Sequence, residues 1–261
     1  MTRLAAVQLS PVVGDLEGNI ERATTAILAA LAEGAEIVVL PELTTSGYVF
    51  TDRAEARSVA LRADDPLLAR WSGLLGDAVL VVGFAEEGED RLLFNSAAVL
   101  DGTGTRAVYR KAHLWDLEKR VFTAGSGQPA LVETRYGRLG VMICFDLEFP
   151  EWTRIAALQG ADLLAVPANW PVQPRPDGGE VPEVQIAAAT ARLNHMAVVV
   201  ADRQGTERGV AWAGGTHVVG PGDGVAWADL DLPASRDKRQ ATLVDLLCDR
   251  RPELYGAILD R

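Results

Sequence analysis

Cysteine and histidine are scarce in this 261-residue chain, which has two of the former and three of the latter. Because Cys144 and Cys248 lie far apart, they do not form a disulfide framework, and a reducing cytoplasm is the simplest setting. With so few ligands and no His-Glu-x-x-His motif, a catalytic zinc site is unsupported, and we expect no cofactor. No apolar run reaches the length of a membrane span. The first residues enter a strand pattern at once, which argues against a signal peptide.

Positive charge is outnumbered, with 25 Lys and Arg against 36 Asp and Glu, for a net charge of −11. That balance argues against nucleic acid and anionic membranes as partners. Hydrophobic residues make up 48% of the chain, which predicts a globular protein with a large core. Strand–helix units alternate with hairpins without any break in composition, so we predict one α/β domain over residues 1–261. So many buried strands favour two mixed sheets packed between helix layers.

Hydrophobic periodicity locates the main helices and hairpins. Apolar residues recur at helical spacing in residues 16–31, 66–75, 150–159 and 182–194. Paired apolar runs around turn signals predict hairpins over residues 94–110 and 130–143, and two more around Gly214-Gly215 and residues 221–224. Residues 169–181 are rich in Pro and Gly and are predicted to form the longest loop.

Cys144 ends an apolar run from Leu139 to Ile143 that is typical of a strand buried on both faces. An acidic loop follows, and Pro150 suits the first position of a helix, where its missing N–H is not needed. The pattern places the thiol at a sharp strand-to-helix junction with free backbone N–H groups beside it. Such a junction can present a nucleophile and receive an oxyanion. The alternative is a buried structural thiol.

Two further polar residues follow directly after predicted strands. Glu42 comes after the mostly apolar residues 35–40 and Pro41, and Lys111 comes after residues 106–110. Ligand sites of α/β sheets lie at such strand ends. Either residue alone would usually belong to a solvated turn. Together with Cys144 they indicate a catalytic site.

These segments resemble the motifs of the carbon–nitrogen hydrolase, or nitrilase, superfamily. The matching stretches are Leu40-Pro41-Glu42, Tyr109-Arg110-Lys111-Ala112-His113-Leu114, and Gly140-Val141-Met142-Ile143-Cys144-Phe145-Asp146 with Phe149-Pro150-Glu151. The resemblance implies a four-layer α-β-β-α sandwich, a Glu42–Lys111–Cys144 triad, and a homodimer or larger assembly. A second glutamate lines the site of that family, and Glu118 occupies the matching place.

The chemistry of the three residues is consistent with amide hydrolysis. Glu42 can take the thiol proton of Cys144 and pass it to the departing nitrogen. Lys111 and the backbone N–H of Phe145 can stabilise the oxyanion that forms as the thiolate adds. The acyl group then sits on Cys144 as a thioester until water completes the hydrolysis. Glu118 either holds Lys111 in place or helps to activate that water.

We expect the substrate to be a small-molecule amide, and the motifs do not identify its acyl group. The candidate pocket residues are Tyr48, Trp115, Phe145, Phe149, Asn169 and Trp170, with the 169–181 loop as a wall. Their aromatic character favours an apolar acyl group.

Two alternatives stay open at this point. One is a nitrilase proper, which forms a thioimidate from a C≡N bond, and the other is a catalytically silent relative that binds an acyl compound. The chain lacks the extended tail that nitrilases of the family tend to carry, which favours an amide. Phe145 stands where the family often has Tyr, and Asp202 stands where it often has Asn, so the pocket stays undefined. His113 is predicted to be a hydrogen-bonding scaffold residue, and Cys248 to be inert.

Overall fold

The computed structural model describes residues 1–172, 181–218, 225–230, 232, 239–241, 244–245, 247–254 and 256. The helices are α1 (Leu16–Ala32), α2 (Arg53–Ser58), α3 (Pro66–Leu75), α4 (Glu118–Val121), α5 (Pro150–Leu158) and α6 (Pro182–Asn194). Short 3₁₀ turns lie at Glu89–Arg91, Cys144–Glu148 and Pro252–Leu254.

The strands are β1 (Thr2–Val7), β2 (Ile37–Val39), β3 (Val79–Glu87), β4 (Leu93–Asp101), β5 (Gly104–Arg110), β6 (Ala130–Thr134), β7 (Gly137–Val141), β8 (Leu163–Ala168), β9 (Ala197–Asp202), β10 (Thr206–Glu207), β11 (Val210–Ala211), β12 (His217–Val218), β13 (Val225–Leu230), β14 (Arg239–Ala241) and β15 (Val244–Asp245). Most belong to two mixed sheets, a six-stranded one in the order β13-β1-β2-β3-β4-β5 and a five-stranded one in the order β12-β9-β8-β7-β6. Two small hairpins, β10–β11 and β14–β15, complete the described strands.

The alternation of side chains along the strands explains how the two large sheets pack together. In β1, Leu4 and Ala6 join the core shared with the five-stranded sheet, which contains Val141 of β7. Ala5 and Val7 point to the opposite face of the six-stranded sheet and join a second core. The strands are apolar on both sides because both sides are covered.

Helices cover the two outer faces. Residues of α1 and α3, such as Ile27 and Trp71, pack on the six-stranded sheet. Residues of α5 and α6, such as Ala157 and Ala187, belong to the core built around the five-stranded sheet. The predicted four-layer α-β-β-α sandwich is therefore correct. Within the described ranges, no helix combines the length and the apolar character needed to cross a membrane.

The predicted helices and the first two hairpins are confirmed, as β4–β5 and β6–β7. The hairpin predicted around Gly214-Gly215 is wrong, because β12 pairs with β9 instead of with the preceding strand. The hairpin in this region is β10–β11, which turns through Arg208 and Gly209, both at positive φ. The hairpin predicted around residues 221–224 lies outside the described residues.

Candidate active site

The strand ends converge as predicted for a site at one edge of the six-stranded sheet. β2 is parallel to β3, and two antiparallel steps through β4 make β5 run in the same direction as β2. Glu42, after β2, and Lys111, after β5, therefore emerge at the same edge. Gly83 of β3 permits the close approach of the Glu42 loop, since a Cβ there would lie 2.6 Å from the Glu42 Cα. Cys144 follows β7 of the facing sheet.

Lys111 is the centre of a buried charge cluster. Its Nζ lies 2.7 Å from Glu42 Oε1 and 2.8 Å from Glu118 Oε1. The side chains of Lys111 and Glu42 expose no surface, and that of Glu118 exposes 2%. The structure thus brings together three of the four predicted catalytic residues in direct contact. Charges buried in this way are costly unless their remaining polar atoms also find partners.

Asn95 is a buried residue of this cluster that the sequence analysis missed. Its Nδ2 donates to Glu42 Oε1 at 2.6 Å and, at 3.3 Å, to Glu118 Oε1. Its backbone carbonyl oxygen accepts the backbone N–H of Lys111 at 2.8 Å. The signal in the sequence is weak: Asn95 is a polar residue in a strand that is otherwise mostly apolar.

The two carboxylates differ in how completely they are hydrogen-bonded. Glu118 Oε1 also accepts the Tyr48 hydroxyl at 2.6 Å, and its Oε2 accepts the backbone N–H of Trp115 at 2.9 Å. Glu42 Oε2, in contrast, is buried and has no hydrogen-bond partner within the described part of the chain. Glu118 is therefore held at both oxygens, whereas Glu42 keeps one open acceptor.

Cys144 opens the 3₁₀ turn Cys144–Glu148 with a left-handed backbone, at a φ of 48°. This conformation is uncommon for a residue other than glycine, and strain of this kind clusters at functional sites. The thiol donates to the Asn169 carbonyl oxygen at 3.9 Å, and the residue is 6% exposed. The predicted strand-to-helix junction is confirmed, with the 3₁₀ turn inserted before α5.

Asp146 fixes that turn. Its Oδ2 accepts the backbone N–H of Ile143 at 3.0 Å and the Tyr109 hydroxyl at 2.7 Å. Its Oδ1 accepts the backbone N–H of His113 at 2.9 Å and lies 2.7 Å from the Nδ1 of the same residue. His113 is therefore a hydrogen-bonding scaffold residue, as predicted. The turn that carries Cys144 is tied to the segment that follows Lys111.

Three of the aromatic residues predicted to line the pocket make ring contacts, which fall into two separate groups. Phe149 stacks on the His113 ring with centroids 3.8 Å apart, and Phe145 meets Phe149 edge-on at 5.1 Å. Tyr48 belongs to the other group, in which its ring meets Trp212 edge-on at 5.1 Å.

Asn169 and Trp170 lie between Cys144 and Asp202. Asn169 donates from Nδ2 to the carbonyl oxygen of Glu42 at 3.0 Å. The backbone N–H of Trp170 donates to Asp202 Oδ1 at 2.8 Å, and that of Gly215 donates to Asp202 Oδ2 at 2.7 Å. Asp202 therefore anchors the segment that contacts the thiol. Residues 173–180 of the predicted 169–181 loop lie outside the described residues.

Burial dominates the electrostatics of the site. It raises the pKa of Glu42 to about 8, although Lys111 opposes the shift. Burial, and then the charge of Glu42, raise the pKa of the Cys144 thiol well above its usual value. For Lys111, burial disfavours the ammonium, but Glu118 and Glu42 together outweigh burial and raise its pKa well above the usual range. These shifts favour a neutral thiol at Cys144 and a charged ammonium at Lys111 in the resting site.

A cavity of about 150 Å³ borders the cluster on the Glu118 side. It is walled mostly by apolar and aromatic side chains: Tyr48, Val49, Phe50, Trp115, Leu117, Val121, Phe122, Val210 and Trp212. Two of the predicted pocket residues, Tyr48 and Trp115, are among them. In the residues that the structure describes, no group of three or more His, Cys, Asp or Glu side chains is placed to hold a metal ion.

The carbon–nitrogen hydrolase family profile matches residues 3–232 of the chain. A protein of Pyrococcus abyssi named a nitrilase is 34% identical over 275 residues, which cover 98% of this chain and 99% of that protein. An N-carbamoylputrescine amidase of Arabidopsis thaliana is 31% identical, over 94% of this chain and 91% of the relative. The chain belongs to the carbon–nitrogen hydrolase family, within the nitrilase superfamily.

Solved structures of an amidase from Nesterenkonia sp. AN1 share the fold. One is a glutamate-to-glutamine mutant that shows covalent addition of the acetamide moiety of fluoroacetamide at the active site cysteine. It superposes with a TM-score of 0.81 at 26% identity, over 98% of this chain and 96% of that one. Since the nitrilase of P. abyssi is matched over 99% of its length, chain length does not separate amide from nitrile substrates here.

Proposed function

We propose that this protein hydrolyses a small carboxamide to a carboxylate and ammonia through a thioester on Cys144. The observation that carries the proposal is the open acceptor of Glu42, a buried carboxylate that contacts Lys111 and keeps Oε2 without a partner within the described chain. A general base needs an acceptor that can reach the proton it removes, and a pKa near the working pH. With its pKa raised to about 8, Glu42 meets the second condition.

The difference between the two carboxylates divides their roles. Glu118 accepts hydrogen bonds at both oxygens, so both of its acceptor atoms already have donors within the described chain. We assign it the role of holding Lys111 in place, in preference to activating water. Glu42 then takes the proton of the Cys144 thiol as the sulfur adds to the amide carbon. The same proton is passed to the nitrogen that leaves.

Lys111 supplies the positive charge for the oxyanion. As sulfur adds to the carbonyl carbon, negative charge collects on the amide oxygen, and a buried ammonium stabilises it more strongly than a solvated one. The backbone N–H of Phe145, next to Cys144, is the second donor in this proposal. Water then adds to the thioester, and Cys144 leaves as the carboxylate product forms.

The acyl group is proposed to be apolar and small. The support is the cavity beside Glu118, whose walls are mostly apolar and whose volume of about 150 Å³ is below the range typical of drug-sized ligands. Tyr48 and Trp115 contribute to both the wall and the hydrogen bonds of Glu118. Short-chain and aromatic amides are the compounds to try first.

The test is ammonia release from a panel of simple amides by the wild-type protein and by Cys144→Ala. We expect turnover that is lost in Cys144→Ala while the folded structure, followed by circular dichroism, is kept. A wild-type protein that binds amides without releasing ammonia would instead indicate the silent acyl-binding relative.

We also propose a cytoplasmic, cofactor-free enzyme that forms a homodimer or larger homo-oligomer and does not bind nucleic acid or membranes. The oligomer rests on the family resemblance, and the partner classes rest on the net charge of −11. Sedimentation velocity of the purified protein tests the oligomer. A monomer at micromolar concentration would contradict it.

A further inference from the structure

The β10–β11 hairpin presents a buried carboxylate to the backbone of the Tyr48 segment. The hairpin turns through Arg208 and Gly209 at φ of 47° and 85°, a two-residue turn that matches the twist of paired strands. Glu207, just before the turn, is 6% exposed. Its Oε2 accepts the backbone N–H groups of Tyr48 at 2.9 Å and Val49 at 2.6 Å.

The other oxygen of Glu207 is paired with a buried cation. Arg203 Nη2 lies 3.0 Å from Glu207 Oε1 and also donates to the Pro11 carbonyl oxygen at 2.7 Å. The Arg203 guanidinium carbon lies 4.7 Å from the centroid of the Trp212 ring, and Trp212 in turn meets Tyr48 edge-on. A buried ion pair is weak evidence of a stabilising role, because its desolvation penalty can exceed the Coulombic gain. Because Glu207 of this pair also binds the backbone of Tyr48 and Val49, we consider a role in positioning that segment.

The contacts lead from this ion pair to the charge cluster. Glu207 fixes the backbone of Tyr48, and the Tyr48 hydroxyl donates to Glu118 Oε1 at 2.6 Å. The same Oε1 lies 2.8 Å from Lys111 Nζ. Tyr48 is thus held from both ends, at its backbone by Glu207 and at its hydroxyl by Glu118.

We propose that Glu207, paired with Arg203, is a positioning residue of the hydrolase: it sets the Tyr48 hydroxyl on Glu118 and so keeps Lys111 in its place. This inference rests on the proposed function. A displacement of about 1 Å in a catalytic group can cost roughly a hundredfold in rate. The effect of losing Glu207 should therefore appear in kcat more than in KM.

The test compares Glu207→Gln, Tyr48→Phe and the double variant. Glutamine has a single acceptor oxygen, so it cannot accept the N–H groups of Tyr48 and Val49 and also pair with Arg203. Phenylalanine at position 48 keeps the ring but removes the hydroxyl. We expect each single variant to lose about 10- to 100-fold in kcat, with KM changed less than about threefold. Because both act through one contact, the double variant should be no slower than the slower single variant. Rates are expressed per active site titrated by alkylation of Cys144.

Glu55→Gln is the matched control. It removes the ion pair of Arg208 on the same hairpin, where Arg208 Nη1 lies 2.7 Å from Glu55 Oε2 on the exposed side. We expect its kcat to stay within about twofold of wild type, because surface ion pairs contribute little. If Glu207→Gln fails to fold, Glu207→Asp serves instead, since it keeps the charge beside Arg203 and retracts the carboxylate from the two N–H groups.

Two results would overturn the inference while leaving the proposed function intact. One is a kcat per titrated site equal to that of wild type, both in the Glu207 variant that folds and in Tyr48→Phe. This result would count even if the melting temperature of these variants were lower. The other is a double variant whose loss is the product of the two single losses. A wild-type protein that releases no ammonia from any amide fails at the earlier step and overturns the proposed function itself.

Discussion

Glu42 and Glu118 share the Lys111 ammonium, at 2.7 and 2.8 Å, but only Glu118 has donors at both of its carboxylate oxygens within the described chain. This difference gives the two acids different expected phenotypes. Glu42→Gln should lose about 10²–10⁴-fold in acylation, the usual contribution of general acid–base catalysis. It should still be alkylated at Cys144 by a reactive haloacetamide, as in the glutamate-to-glutamine mutant of the Nesterenkonia amidase with fluoroacetamide. Intact-mass spectrometry separates the two reactions: an acyl adduct from an ordinary amide would mean that Glu42 acts only in deacylation.

Glu118→Gln should keep more activity than Glu42→Gln and shift its pH dependence. Activity needs the ionised form of Glu42, so the wild-type rate should rise with pH up to about 8. The charge of Glu118 is one cause of that raised pKa, so its removal should move the rising limb to lower pH. The measurement is kcat/KM between about pH 5 and pH 9, the range that brackets this pKa. If the rising limb of kcat/KM lies at the same pH in wild type and in Glu118→Gln, Glu118 does not contribute to the pKa of Glu42.

The position of the site could be predicted from the sequence, because Glu42, Lys111 and Cys144 each come shortly after a predicted strand, and the strands before Glu42 and Cys144 are mostly buried. Glu42, Lys111 and the Cys144 junction were found in this way. The roles of Asn95 and Glu207 could not be found in this way. Asn95 sits inside a strand, where only the tertiary structure decides which face meets the charges. Glu207 contacts Tyr48 across 159 residues of chain, and nothing local in either segment indicates that pairing.

Lys111→Met should lose about 10²–10³-fold in kcat, the usual effect of removing an oxyanion donor. The change also leaves two buried carboxylates without their cation, so we expect part of the loss of activity to come from unfolding. Thermal unfolding and the titrated number of reactive Cys144 thiols correct for this. Turnover near wild type per titrated thiol would contradict the proposed role of Lys111.

Iodoacetamide should inactivate the protein through one alkylated site, Cys144. The second cysteine, Cys248, is exposed and should also be labelled, but without effect on activity. Peptide mapping of partly inactivated samples follows both sites. Cys248→Ser is the control, and it should be inactivated at the same rate as wild type. Loss of activity that tracks Cys248 would make the nucleophile assignment wrong.

Asp202 should make the protein less stable as pH rises. Burial raises its pKa to about 7 from the ordinary value of 3.8, so between these values the folded state keeps a proton that the unfolded state has lost. The contribution to stability is complete below about pH 4 and is lost as pH approaches about 7. Asp202→Asn removes this group and should flatten the dependence by up to about 1.4 kcal/mol per pH unit. Urea unfolding at intervals of about one pH unit across this window measures the free energy of unfolding of both proteins. Parallel plots of that free energy against pH for wild type and Asp202→Asn would contradict the expectation.

The last prediction is that amides are hydrolysed faster than nitriles of the same acyl group. Addition of sulfur to a planar amide places negative charge on oxygen, where Lys111 and the Phe145 N–H are proposed to stabilise it. The departing nitrogen needs a proton, and Glu42, with a pKa of about 8, holds the one it took from Cys144. A nitrile is linear, collects its charge on nitrogen and needs a second water before ammonia leaves. Relatives named as nitrilases and as amidases both match nearly the whole chain, so similarity does not decide the order. The measurement is ammonia release from a matched amide and nitrile at equal concentration, and a faster nitrile would reverse the assignment.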